Sequence, residues 1–465
     1  MVRLFKHYVS RALLTLLIAE ALCLFLAIYL GRALRTVVGV QGSWPLLAEV
    51  IPSALVFALV MIAIMVAMGL YERNLWDGRS DMLFRVGISF LFGLFAMTVI
   101  YYLFPDLRMG RGEFSLATGI AFVGVVLLRL LFFGVSDQGL LKRRVLVLGV
   151  GQNAARLEEL AELEAVGFSI MGYVQVHEDE NPRVRESRML EVVSNLYDLA
   201  EELRVGEIVV AMDDRRKGFP TKEMLECKVE GIRISNFLSF FERETGKIQL
   251  DALHPSHLIF GENFQRALLK QIVKRLLDIG ASALLLALAW PIMLLAALAI
   301  WIESGFRGPI LYQQTRVGLN GQLFKLVKFR SMRVDAERDG IARWAQAGDS
   351  RITRVGAVLR VTRIDELPQL FNVLQGSMSF VGPRPERPQF VARLSRKIPF
   401  YSMRHMVNPG ITGWAQICYP YGASDEDARE KLQYDLYYIR NYSFFFDTLI
   451  LLQTVHTILW SKGAR

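Results

Sequence analysis

Apolar and polar positions divide the chain into regions of different period. Four apolar runs, about Leu13–Leu30, Ile51–Leu70, Gly87–Leu103 and Leu116–Val135, fill the first third. Each is near the roughly 20 residues that a bilayer-crossing helix needs. They predict a bundle of four spans. Two charges interrupt it: Glu20 is expected to face the bundle, and Arg129, near the end of its run, to snorkel. Arg3, Lys6 and Arg11 precede the first run, and Lys142, Arg143 and Arg144 follow the fourth. That bias puts both ends of the bundle in the cytoplasm. The basic start resembles a signal peptide, but no small-residue cleavage site follows, so an uncleaved anchor is expected.

From about residue 144 to 260 the pattern changes. Val145–Val150 is a short apolar run ending in Gly149-Val-Gly151-Gln-Asn-Ala154. A helical pattern follows, then strand-like Ile170–Val176, helical Leu196–Leu203 and a buried strand at Ile208–Met212. This alternation predicts a parallel α/β sheet, Rossmann-like in organisation. Gly149 and Gly151 would let a pyrophosphate approach the following helix end, which makes them candidate nucleotide-binding residues. The motif by itself is a weak signal, and the acid expected to follow falls at Glu178 or Asp179. A structural or regulatory role is favoured over redox chemistry.

The fifth apolar run, Leu276–Ile302, has Lys274 and Arg275 before it and Arg307, Arg316, Lys325, Lys328 and Arg330 after it. Basic residues on both sides oppose a full crossing. Pro291 in the middle favours a bend, since its ring and missing N–H disturb a helix. A re-entrant helix over about 276–302 satisfies both observations; a kinked span is the alternative. The last apolar stretch, Tyr442–Trp460, contains Asp447, Gln453 and His456, and suits an interfacial or packed helix.

Composition agrees with a membrane protein that also has soluble parts. Of 465 residues 53% are hydrophobic, and the formal charge is +9. The surplus fits cytoplasmic loops and phosphate-bearing substrates better than nucleic acid. Cys23, Cys227 and Cys418 form no CxxC pair and no disulfide framework. His254 and His257 are a poor metal pair without further ligands.

The chemistry-bearing residues cluster after the fifth run. Phe324–Met332 alternates apolar and basic positions, as a strand would, and includes Lys328 and Arg330. Ile364, Leu367, Phe371 and Leu374 have helical spacing, and Pro368 belongs in a first turn. Asp365 and Glu366 are then at a helix N-terminus. Either Asp365 is a plain cap, or the helix end keeps it ionised for attack on phosphorus while Glu366 holds Mg²⁺. In Gly382-Pro-Arg384-Pro385-Glu386 two prolines stiffen the backbone around an Arg suited to phosphate. Asn408–Gln416 is rich in turn residues.

The ordered set Lys274-Arg-Leu-Leu-Asp278, Pro291, Lys328-Phe-Arg330-Ser-Met332, Asp365-Glu366-Leu-Pro-Gln369, Gly382-Pro-Arg-Pro385 and Pro409-Gly-Ile-Thr-Gly-Trp414 resembles the catalytic domain of the monotopic phosphoglycosyl transferases. The preceding spans and α/β region look like the large members of that bacterial sugar transferase family, which initiate exopolysaccharide or O-antigen synthesis. The resemblance implies an inner-membrane enzyme with a cytoplasmic catalytic domain, a nucleotide-sugar donor (usually a UDP-sugar) and an undecaprenyl phosphate acceptor. It further implies contact with membrane lipid, Mg²⁺ and a covalent intermediate, and it allows a homodimer. Carried onto this chain, Asp365 is the nucleophile, Glu366 binds metal, and Arg384, Lys328 and Arg330 bind phosphate or donor.

The expected domains are a four-helix transmembrane region at 1–140, the Rossmann-like domain at 141–262, and an α-rich catalytic domain at 263–465. Two other readings compete. A membrane-anchored sugar-nucleotide dehydratase or epimerase would need a Tyr-x-x-x-Lys pair, and the chain has none. A non-enzymatic scaffold of polysaccharide assembly would leave the motifs from Lys328 to Gln416 unexplained.

Overall fold

A computed structural model of the chain describes residues 2–4, 7–9, 11–37, 47–71, 79–137, 142–163, 167–177, 180–191, 195–214, 218–253, 268–334, 336, 351–419, 422 and 424–459. Glu178, Asp179, His254 and His257 lie outside them. Two compact units result. The first ends at Thr245; the second, apart from a short N-terminal contribution, starts at Gly246.

After a short strand at Val2–Leu4, the first unit has four long helices: α1 (Arg11–Val37), α2 (Leu47–Ala67), α3 (Arg79–Leu103) and α4 (Arg111–Asp137). All are long and apolar enough to cross a membrane. Their shared core includes Leu24, Ile28, Phe57, Met61, Val86 and Ala121, while Leu59, Leu91, Phe95 and Leu131 face outward. An apolar exterior is what a lipid solvent requires. Glu20 and Arg129 are both inside. Arg129 Nε is 2.7 Å from Glu20 Oε1, its Nη1 donates to the Leu70 carbonyl at 3.0 Å, and Tyr71 Oη donates to Glu20 at 2.5 Å. Arg129 therefore does not snorkel as its sequence position suggested. A carboxylate on α1 gives its guanidinium a partner in the low-dielectric interior, which outweighs escape to the interface.

The α/β part follows: β1 (Arg143–Leu148), α5 (Gln152–Glu162), β2 (Phe168–Val174), β3 (Met189–Leu190), α6 (Leu196–Glu202), β4 (Glu207–Val210), α7 (Thr221–Val229), β5 (Arg233–Asn236) and α8 (Phe237–Thr245). The strands are parallel and lie in the order β3-β2-β1-β4-β5. Val145–Leu148 and Ile208–Val210 are buried on both faces, which is why these strands read as unbroken apolar runs.

The second unit begins with residues 246–253, which lie here rather than in the α/β region expected to extend to 262. Ile248, Leu250 and Leu253 belong to its core. Then comes α9, a 36-residue helix over Leu268–Glu303 that stays helical through Pro291. β6 (Leu311–Val317) and β7 (Leu323–Phe329) form an antiparallel hairpin. After α10 (Arg354–Val361) and α11 (Gln369–Gln375), β8 (Ser379–Val381) pairs in parallel with β9 (Gly410–Thr412). Between those strands lies α12 (Pro388–Lys397), and after them α13 (Trp414–Cys418), α14 (Asp425–Asn441) and α15 (Phe444–Leu459). Leu394, Leu436, Tyr437, Phe446 and Ile450 make the core.

Both ends of α9 are tied to this same unit. Near its start, Lys274 Nζ donates to the Val381 carbonyl at 3.0 Å and to Asp447 Oδ2 at 2.6 Å. Arg275 caps the last carbonyls of α11, Val373 at 2.5 Å and Leu374 at 2.6 Å. Asp278 Oδ1 accepts from Ser379 Oγ at 3.0 Å and Phe380 N at 2.9 Å. Near its end, Ala296 and Ile300 pack on Phe329 and Leu359, and Glu303 Oε1 accepts from Val355 N at 3.0 Å. Between these anchors Leu284, Leu288, Trp290, Leu294, Leu295 and Leu298 are exposed.

The buried pair in the first unit gives a test of its energetics. Removing one partner strands the other charge, so Glu20→Leu or Arg129→Leu should each cost about 3–5 kcal/mol. The double variant Glu20→Leu/Arg129→Leu should recover most of that loss, read as thermal melting in detergent. A double variant as unstable as the sum of the singles would contradict the pairing.

Candidate active site

Asp365 and Glu366 are in a 3₁₀ turn, Ile364–Glu366, that comes before α11 rather than in its first helical turn. Arg363 opens the turn in the left-handed region at φ 59°. A non-glycine residue there is strained, and such strain persists only where surrounding contacts hold it. Pro368 precedes Gln369 with helical φ and ψ, and no side chain caps α11. Asp365 is thus not the cap of this helix.

The two carboxylates have opposite environments. Asp365 is only 7% exposed, and its Oδ1 has no hydrogen-bond partner among the described residues. Burial, reinforced by the neighbouring Glu366 charge and opposed by Lys328, pushes its pKa up to about 6. Asp365 therefore ionises later than a free carboxylate, and desolvation rather than a helix end is the largest influence on it. Burial also acts against Glu366, but Arg384 more than offsets it. Arg384 Nη2 donates to Glu366 Oε1 at 2.8 Å, and Arg363 Nη1 lies 3.7 Å from the same oxygen. Together with Lys328 they hold Glu366 down at about 2. Adjacent acids pushed apart in this way are suited to different tasks.

Lys328 is delivered by β7. Burial lowers its pKa, against the pull of Asp365 and Glu366, and its ammonium stands over the Tyr312 ring at 5.7 Å. The strand is held in place by Asn372 of α11, whose Oδ1 accepts from Val327 N at 3.0 Å and whose Nδ2 donates to Lys325 O at 2.8 Å. One buried amide thus sets the register between the strand that carries Lys328 and the helix that follows the carboxylates. Arg330 is not brought in. It is 9% exposed, its Nη1 has no partner among the described residues, and its guanidinium packs beside Gly308 and Val334.

Arg384 is presented by the Gly382–Glu386 turn. Gly410 N donates to Pro383 O at 2.9 Å. A Cβ on Gly410 would run into the backbone nitrogen of Gly382, so glycine is needed for the close approach. Trp414 is structural: its Nε1 donates to Gly246 O at 2.8 Å, and it packs on Tyr437 and Phe446.

This arrangement puts a buried carboxylate, a strongly acidic one and two cations around one turn. Residues 269–461 match the family model of the bacterial sugar transferases. The chain is 32% identical over 337 residues to the UDP-glucose:undecaprenyl-phosphate glucose-1-phosphate transferase of Escherichia coli, covering 70% of each. This chain belongs to the bacterial sugar transferase family. As a sugar transferase it is an enzyme.

It is 46% identical to the protein of the same name from Caulobacter vibrioides over 193 residues, 41% of this chain and 71% of the relative. Against the UDP-N-acetylgalactosamine-undecaprenyl-phosphate N-acetylgalactosaminephosphotransferase of Aeromonas hydrophila it is 43% identical over 253 residues, 54% of this chain and 58% of the relative.

Residues 66–218 of the sugar transferase also match a CoA-binding domain, whose glycine turn is the place where a phosphate would be expected. Gly149 turns at φ +115°, where a Cβ would crowd the Met212 backbone, and Gly151 precedes α5. The helix end is already filled. Asp213 Oδ2 accepts from Gln152 N at 2.7 Å and its Oδ1 from Asn153 N at 3.0 Å. A ligand phosphate at these N–H groups would have to displace a carboxylate, and the described residues do not fit one there.

Two residues that support the site are not among the expected site residues. Asn372 is a polar position between buried Leu370 and Val373, a break in an apolar face that could have signalled it. Arg316 is buried enough for its pKa to fall to about 10; its Nη1 donates to Pro385 O at 3.0 Å.

The carboxylate environment has a consequence for stability. Asp365 ionises at about 6 in the fold against a usual 3.8, so the unfolded chain ionises first. No penalty exists below about pH 3.8; it grows as pH rises and reaches about 3 kcal/mol above pH 6. Asp365→Asn should raise metal-free thermal stability at pH 7.5 by an amount of that order, and the gain should vanish near pH 4. An equal gain at both pH values would contradict this environment.

Proposed function

We propose that this sugar transferase moves a sugar-1-phosphate from a UDP-sugar to undecaprenyl phosphate, the first membrane step of exopolysaccharide or O-antigen assembly, at the cytoplasmic face of the inner membrane. The observation that carries the reading is the turn itself. Asp365 is desolvated with an unpartnered oxygen, beside Glu366 held ionised by Arg384. The names of the relatives state the same donor and acceptor classes.

In the proposed reaction an Asp365 oxygen attacks the sugar-bearing phosphorus of the donor. The bond from that phosphorus to the bridging oxygen breaks, and UMP leaves with the electron pair. An oxygen of the lipid phosphate then attacks the same phosphorus. The Asp365 O–P bond breaks, which frees the carboxylate and gives the polyprenyl diphosphate sugar. Two displacements let one site serve two anionic substrates in turn. Low solvation leaves the Asp365 carboxylate reactive, while Lys328 and Arg384 face the diphosphate and stabilise charge that moves to UMP.

Mg²⁺ fits this donor set. Among the described residues there is no cluster of three or more His, Cys, Asp or Glu. Mg²⁺ commonly uses one or two carboxylates and completes its shell with water and substrate phosphates. Glu366, with the unpartnered Asp365 oxygen next to it, would hold it, and the ion would neutralise diphosphate charge.

The α9 helix is read as re-entrant. Its first turns and its last are both tied to the domain that carries Asp365, through Lys274, Asp278 and Glu303. A helix crossing the bilayer would carry its two ends to opposite sides, and one water-facing domain does not reach both. The exposed leucines between the anchors would enter one leaflet, which seats Asp365 at the level of the lipid phosphate.

Two measurements test this. With Mg²⁺, undecaprenyl phosphate and a panel of UDP-sugars, Asp365→Asn should release no UMP while the protein still folds. Arg384→Ala should be slower by on the order of 10²-fold. Full activity of Asp365→Asn would rule out the nucleophile. For topology, Arg307→Cys in a cysteine-free background should be protected from an impermeant thiol reagent in intact cells until the membrane is opened. Labelling from outside would make α9 a true span.

A further inference from the structure

The turn that presents Arg384 has an unusual set of backbone restraints. Two of its residues are prolines and donate no N–H, so carbonyls are the main handles by which the fold can hold it. Four consecutive carbonyls are each held by a different donor. Pro383 O accepts from Gly410 N at 2.9 Å, and Arg384 O from Arg404 Nη2 at 2.9 Å. Pro385 O accepts from Arg316 Nη1 at 3.0 Å, and Glu386 O from Val317 N at 3.0 Å.

The second of these restraints acts on Arg384 itself. Arg404 is 7% exposed and its partner Asp435 2% exposed. Asp435 Oδ2 lies 2.9 Å from Arg404 Nη2, while Arg404 Nη1 donates to Tyr401 Oη at 2.6 Å. The guanidinium is thus fixed on two sides by buried groups, and the same Nη2 reaches the Arg384 carbonyl. The side chain of Arg384 is 39% exposed and extends to Glu366. A buried ion pair is costly to desolvate and is a poor source of net stability. A pair retained at this place calls for another explanation.

We propose that Arg404 and Asp435 are positioning residues for sugar-phosphate transfer: they hold the Arg384 backbone so that its guanidinium meets both Glu366 and the donor diphosphate. The inference rests on the phosphate role of Arg384 given above. Small displacements of a positioning group are expensive, on the order of 10²-fold in rate for about 1 Å. Neither Arg404 nor Asp435 need touch substrate.

A double-mutant cycle on the full-length protein, reconstituted with Mg²⁺ and undecaprenyl phosphate, separates this from a general structural role. UMP release is followed with whichever of UDP-glucose and UDP-N-acetylgalactosamine is turned over faster. Arg404→Lys and Asp435→Asn should each lower kcat/KM by on the order of 10- to 100-fold. In an Arg384→Ala background the same changes should cost no more than about twofold, since their route to the reaction is already gone. Losses that multiply in the double variants would overturn the proposal, because damage to the fold at large would be independent of Arg384. Should neither variant accumulate, Tyr401→Phe removes one hydroxyl from Arg404 and is read in the same cycle. Unchanged kinetics in Arg384→Ala alone would sink the phosphate role instead, an outcome distinct from multiplying losses.

Discussion

The 2.8 Å pair between Arg384 and Glu366 is the contact on which the catalytic unit turns. It joins the 3₁₀ turn after α10 to the proline turn after β8, segments that share no secondary structure. It also lowers the pKa of Glu366, whose charge adds to the desolvation that raises Asp365. Glu366 ionises readily because the guanidinium is there, and its fixed charge then discourages ionisation of Asp365.

The supports of this contact are polar groups buried in apolar surroundings. Asn372 ties β7 to α11, Asp278 ties α9 to β8, and Arg404 with Asp435 holds the proline turn. Each leaves few donors or acceptors unmet, which is what makes burial tolerable. Apolar packing alone specifies volume and tolerates small slips. Directional bonds fix register, and the alignment of Asp365 with a phosphorus atom in the proposed reaction would need it.

Local pattern made much of the fold legible. The apolar runs became α1 to α4 and α9, and the alternation after residue 144 became a parallel sheet with β1 central. Asp365, Glu366, Lys328 and Arg384 are brought together as the motifs suggested, whereas Arg330 is turned aside to Gly308. What local pattern could not convey was long-range. Glu20 is 109 positions from Arg129, and Gln152 is 61 from the carboxylate that caps it. The direction of the Asp365 shift was hidden for the same reason: sequence shows a nearby helix, but burial comes from segments far along the chain.

The basic residues beside α9 have a use within the fold that the charge pattern does not convey. Lys274 and Arg275 read as a cytoplasmic charge signal, yet their donors are spent on Val381, Asp447, Val373 and Leu374 within the protein. Their first effect is to bolt the start of the apolar helix to the domain that carries Asp365. Once that end is fixed, Glu303 and the Ile300 contacts fix the other. On the re-entrant reading proposed above, the depth at which the apolar middle would enter lipid sets the height of Asp365. In the proposed reaction the acceptor phosphate stays at the headgroup level, so a rigid link between membrane depth and Asp365 would serve the transfer. The polar contacts at the two ends of α9 would supply that link.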